Sequence, residues 1–122
     1  MYLARRGRLR QLTADHLAPL RMAVPNGPTA ADGVRIVTRP ALAKYLGVDG
    51  RQSEPDVRVV TVQRGDRFVL TTDGVTSRMK RADIMGVLDR YAQPRPAARM
   101  LVARALARGT LDNVSCVVVR VV

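Results

Sequence analysis

The stretch Gly65-Asp66-Arg67-Phe68-Val69-Leu70-Thr71-Thr72-Asp73-Gly74 decides how the chain folds. Its middle, Arg67 to Thr72, is a nearly unbroken apolar and β-branched run, the pattern of a strand central in its sheet. Asp73-Gly74 ends that run in a common turn dipeptide. Just upstream, Val57, Val59 and Thr61 alternate with Arg58, Val60 and Val62, which predicts a partner strand joined through a tight turn at Arg64-Gly65-Asp66. The same tripeptide spells an adhesion motif, but three residues at a hairpin turn arise easily by chance, and a turn accounts for them.

Downstream of the polar loop Asp73 to Met79, Ile84, Val87, Leu88 and Tyr91 fall at i, i+3, i+4 and i+7, the stripe of an amphipathic helix. A second helix is predicted to start near Pro96, a residue suited to the first helical turn. It places Leu101, Val102, Ala105 and Leu106 on one face and stops at Gly109. Val114 to Val122 then forms a β-branched run long enough for one buried strand. The two helices are expected to pack together over a sheet.

Upstream, Tyr2-Leu3-Ala4 and Arg8-Leu9-Arg10-Gln11-Leu12 read as a hairpin turning at Gly7. Its first strand is short, so either Met1 caps an edge or sequence precedes it. Thr13 to Gly33 carries Pro19, Pro25 and Pro28 and reads mainly as loop. A short helix is predicted over Pro40 to Leu46, with Leu42 and Tyr45 or Leu46 facing inward and Gly47 ending it. The fold class is thus α+β, mainly antiparallel sheet with two C-terminal helices packed on it. At 122 residues, the chain is expected to be one domain spanning residues 1–122.

The composition, 47% hydrophobic and 25% charged with few aromatics, is that of a soluble globular protein with an aliphatic core. A formal charge of +11 raises nucleic acid as a partner. Against this, all but two of the 21 basic residues are Arg spread through nearly every segment, and no aromatic platform interleaves with them. Nucleic acid is therefore not the expected partner. No run is long enough to span a bilayer, and Met1 to Gly7 lacks the apolar stretch of a signal peptide, so the expected compartment is the cytoplasm. The single cysteine, Cys116, lies in an apolar run and reads as a small buried hydrophobe. A catalytic thiol would need a base, and the only histidine, His16, is remote in sequence.

Two residues stand out chemically. Asp73 follows the central strand, and Asp112 sits in Gly109-Thr110-Leu111-Asp112-Asn113, entering the last strand. If those strands are neighbours, two carboxylates meet at one rim of a sheet, an arrangement suited to a hard ion such as Mg²⁺ or Mn²⁺. Gly74 would let backbone approach closely there. Each aspartate alone is an ordinary turn residue. Arg78, Lys80 and Arg81, just beyond Asp73, read as a solvated basic face that could also meet an acidic phosphoprotein.

The order of these elements carries more than any one of them. Gly7-Arg8-Leu9-Arg10-Gln11-Leu12-Thr13-Ala14-Asp15-His16, then Val37-Thr38-Arg39 and Leu46-Gly47, then Gly65 through Asp73-Gly74-Val75-Thr76, then Asp112-Asn113-Val114-Ser115, resemble successive motifs in the C-terminal half of bacterial PPM-class (type 2C) serine/threonine phosphatases. The resemblance implies part of a βα sandwich and hydrolysis of phosphoserine or phosphothreonine by metal-activated water. It makes Asp73 and Asp112 ligands of Mg²⁺ or Mn²⁺. The family's phosphate-holding arginine, Asp-Gly-x-Gly-Gly segment and Gly-Asp-Ser-Arg step have no counterpart here, and His16 does not match the family's histidine. The stretch from His16 to Val37 is shorter and richer in proline than the family's flap. Little or no activity is therefore expected of this chain alone. Its partners would be a phosphoprotein substrate, a chain supplying the missing half, or a second copy. The alternative is a non-catalytic phosphatase-like module that binds a partner, and a weaker one is nonspecific nucleic-acid binding through the net charge.

Overall fold

A computed structural model describes residues 1–15, 17–25, 34–42, 55 and 57–122. The chain forms two compact units, one from Met1–Thr13 with Arg58–Val122 and the other from Ala14–Val57.

The larger unit is a four-stranded antiparallel sheet with helices on one face. Its strands are β1 (Tyr2–Arg5), β2 (Arg8–Gln11), β5 (Arg67–Thr71) and β6 (Cys116–Arg120), in the order β2-β1-β5-β6. β1 and β2 are joined by Arg6-Gly7, both at positive φ (50° and 72°), the twist a two-residue hairpin turn needs. The predicted central strand is β5, flanked by β1 and β6. Because β1 and β6 take both of its edges, the upstream run Val57 to Val62 has no ladder to join. It forms no strand, contrary to the alternation of its sequence. It is held instead by Arg5, whose Nη2 donates to the Thr61 carbonyl.

Register separates the two faces of the sheet. Tyr2, Val69 and Val118 stand opposite one another, as do Leu3, Phe68 and Val119. The first row faces the helices and joins the core with Val75, Ile84, Val87, Leu88, Ala97, Leu101 and Ala105. Helix α2 (Arg81–Arg90) packs beside β2, α3 (Pro94–Ala107) packs on β6, and the two helices touch each other. Both follow the predicted stripes, with Ile84, Val87, Leu88, Leu101 and Ala105 buried; Leu106, placed inward from sequence, is exposed. α3 begins at Pro94, so both Pro94 and Pro96 fall in its first turn.

On the second face, Leu70, Val117 and Val119 are 42%, 56% and 47% exposed. The last strand is therefore an edge strand with one bare apolar face, not the buried strand its unbroken valines suggested. The loop read at Asp73 to Met79 contains a single helical turn, α1 (Asp73–Thr76), which buries Val75.

The smaller unit contains a two-stranded antiparallel ribbon of β3 (Leu17–Pro25) and β4 (Val34–Leu42). This corrects two expectations. Pro19 and Pro25, two of the prolines that argued for a loop, sit on β3, which pairs only with β4 among the described residues, so a missing N–H is tolerated; Pro19 lies directly opposite Pro40, and Pro28 lies outside the described residues. Pro40 to Leu42 belong to β4, not to a helix; the rest of the predicted helix lies outside the described residues.

Candidate functional site: a carboxylate rim at the end of β5 and β6

β5 and β6 pair antiparallel with Thr71 opposite Cys116, so the chain leaves β5 and enters β6 at the same end of the sheet. Thr72 fastens the two connections. Its backbone N–H donates to the Ser115 carbonyl (3.1 Å), its Oγ1 accepts from Ser115 N–H (3.0 Å), and its hydroxyl donates to the Asn113 carbonyl (3.1 Å). Gly74 is buried under the Asn113 carbonyl. A Cβ there would lie well inside contact distance of the Asn113 oxygen and 3.1 Å from its carbon. The residue is glycine because the backbones approach so closely.

These contacts bring Asp73 and Asp112 to one cavity of about 380 Å³, lined also by Ser77, Arg78, Thr110 and Leu111. Both aspartates are exposed. Asp112 Oδ1 accepts the Asn113 N–H (2.7 Å). The oxygen donors are of the type Mg²⁺ and Mn²⁺ take, so the residues fit such an ion in kind, but two carboxylates are fewer than it requires. Among the described residues no group of three or more His, Cys, Asp or Glu gathers anywhere.

Thr72, Ser77 and Thr110 carry no motif of their own and were not singled out from sequence; the hydroxyl of Thr72, adjacent to Asp73, is the one local signal. The basic run beyond Asp73 divides. Arg81 Nη2 donates to Gln11 Oε1 (2.8 Å), while the Arg78 and Lys80 side chains are exposed, with Arg78 on the cavity. The Arg78 carbonyl accepts from Arg108, which also grips Asp83 through two bonds of 2.7 and 2.8 Å and holds that carboxyl well below the usual range.

Cys116 is half-buried against the core, and burial pushes its thiol up to about 11, the opposite of what a nucleophile needs. His16 lies outside the described residues. Asp66 of the turn tripeptide is 1% exposed, with its carboxylate gripped by Arg5 at 2.7 and 2.6 Å, so this acid serves the fold. No helix among the described residues is long and apolar enough to cross a membrane.

The fold is similar to that of solved phosphatases. The structure of the Streptococcus agalactiae serine/threonine phosphatase superposes with a TM-score of 0.76 at 25% identity, covering 99% of this chain and 50% of that one. The PPM serine/threonine phosphatase of Mycobacterium smegmatis, solved with cacodylate, gives 0.66 at 25% identity over 99% of this chain and 51% of its own. In sequence, 118 residues are 27% identical to the serine/threonine phosphatase stp of Listeria welshimeri, covering 97% of this chain and 46% of the relative. A 69-residue stretch is 38% identical to the probable protein phosphatase 2C 17 of Arabidopsis thaliana, 24% of that protein's length. No protein-family model matches. The chain is thus similar to part of the PPM-class (type 2C) serine/threonine phosphatases. It spans about half or less of the length of these relatives.

Proposed function

We propose that this chain is the C-terminal part of a metal-dependent phosphoserine/phosphothreonine phosphatase domain, with residues 1–122 belonging to one domain and Asp73 and Asp112 holding part of a Mg²⁺ or Mn²⁺ site. The observation that carries this reading is the meeting of the two aspartates on one cavity at the joined ends of β5 and β6. When bound, such ions polarise a phosphoryl oxygen and activate water for attack on phosphorus. The chain's own residues position: Thr72 locks the two connections, Gly74 lets them close, and the carboxylates face the same cavity.

The remaining ligands would come from polypeptide outside this sequence, contiguous with it or separate, and on its own the chain is expected to turn over little or no phosphoprotein. Calorimetric titration with Mn²⁺ should show weak binding that Asp73→Asn and Asp112→Asn each abolish. Undiminished Mn²⁺ binding in both variants would refute the ligand assignment. Mn²⁺-dependent release of phosphate from a phosphothreonine peptide at rates near those of full-length relatives, lost in Asp73→Ala, would refute the incompleteness of the site. A second reading, a non-catalytic phosphatase-like module that holds a protein partner, is favoured by the bare strip of Leu70, Val117 and Val119.

A further inference from the structure

The larger unit has a second cavity, of about 280 Å³, between the end of β2 and the segment that follows Val57. Arg10, Gln11, Leu12, Arg58, Val59 and Val60 line it. Leu12 is buried and Val60 half-buried, so the site has an apolar side, while the Arg10 and Arg58 side chains are exposed. Five carboxylates of the described residues are placed elsewhere. Asp66 is taken by Arg5, Asp83 by Arg108, Asp89 lies 3.8 Å from Arg67, and Asp73 and Asp112 line the other cavity.

Two guanidinium groups on one cavity repel each other, and beside an apolar wall the repulsion is less screened than in open water. An anion bound between them removes that cost, and the planar fork of each arginine matches two oxygens of a tetrahedral oxyanion. We infer that Arg10 and Arg58 form an oxyanion-binding site for the phosphate class, either free phosphate or a phosphorylated side chain. Topology gives the site its relation to the carboxylate rim. β2 and β5 are both antiparallel to β1, which lies between them, so Gln11 and Thr71 end their strands at the same edge of the sheet. Two strand spacings, about 10 Å, separate them laterally. A phosphorylated polypeptide lying along that edge could reach both sites.

The test is calorimetric titration of the whole chain in EDTA with inorganic phosphate, and separately with a phosphothreonine peptide and its unphosphorylated form. We expect saturable binding of one phosphate, weakened about tenfold or more by Arg58→Ala and by Arg10→Ala. Binding should be unaltered by Arg6→Ala, which removes an equal charge from the exposed β1–β2 turn, and by Asp73→Asn, which separates this site from the proposed metal ligands. Tighter binding of the phosphopeptide than of phosphate identifies a phosphorylated side chain as the natural ligand; equal or weaker binding identifies the free ion. Absence of saturation, or equal losses from Arg6→Ala and Arg58→Ala, overturns the site and reduces the effect to net charge.

Discussion

Replacing Gly74 with alanine tests how the carboxylate rim is built. The added methyl would overlap the Asn113 carbonyl oxygen and stand 3.3 Å from Val114 Cγ2. Backbone, unlike a flexible side chain, cannot rotate away, so the Asn113 segment must retreat by on the order of 1 Å to restore an ordinary carbon–oxygen contact. Overpacking of this kind costs about 1–3 kcal/mol. The retreat also breaks the Thr72 hydroxyl bond to Asn113, adding about 1 kcal/mol. With a urea m-value of about 2 kcal/mol/M, the unfolding midpoint should fall by about 1–2 M. Gly86, inside α2 with nothing within 4 Å of a built Cβ, supplies the opposite case. Gly86→Ala should stabilise by about 0.5–1 kcal/mol through helix propensity alone. Urea unfolding followed by circular dichroism measures both. If Gly74→Ala lowers the midpoint by less than about 0.3 M, the close approach is not what holds the rim together.

Thr72→Val keeps the side chain's shape but removes its bonds to Asn113 and Ser115. It should cost about 1–2 kcal/mol in urea unfolding and weaken Mn²⁺ binding, whereas Thr72→Ser should restore both; failure of serine to rescue would rule out the hydroxyl as the cause. The Arg5 guanidinium holds the Asp66 carboxyl down to about 2, from an ordinary value of 3.8. A depressed acid contributes stability that is complete above the unfolded value and is lost as pH falls through the folded one. The stability gap between the native chain and Arg5→Gln should therefore be widest above about pH 4 and should close toward about pH 2; a gap that does not change with pH would exclude this pair as its source.

Much of the larger unit could be read from the sequence because its signals are local. The stripe from Ile84 to Tyr91 and the first-turn prolines of α3 each specify a helix without reference to anything distant. Asp73 was found because a strand runs straight into it, and Asp112 because its loop enters the next strand. What failed depended on neighbours. Val57 to Val62 has strand chemistry but finds both edges of β5 occupied, and valine alternation cannot report that. The valines of β6 look buried because sequence does not reveal that Val117 and Val119 lie on a stretch of the sheet's second face that is left uncovered. Leu20, Met22 and Val24 mark β3 with a period of two, but the prolines around them masked the pattern. At the rim, Thr72 and Thr110 could not be picked out, since a hydroxyl becomes a fastener only when a particular carbonyl or N–H comes within reach.

The bare strip on β5 and β6 also governs how the protein behaves at concentration. Copies carrying a charge of +11 repel one another, and that repulsion keeps the exposed Leu70, Val117 and Val119 of one molecule away from those of the next. The repulsion acts over about 10 Å in 0.1 M salt but only about 3 Å in 1 M salt. Sulfate would both screen the charge and strengthen apolar burial. Salting, which disperses many basic proteins, should instead drive this one toward clusters, and dilute buffer is the condition that keeps it dispersed.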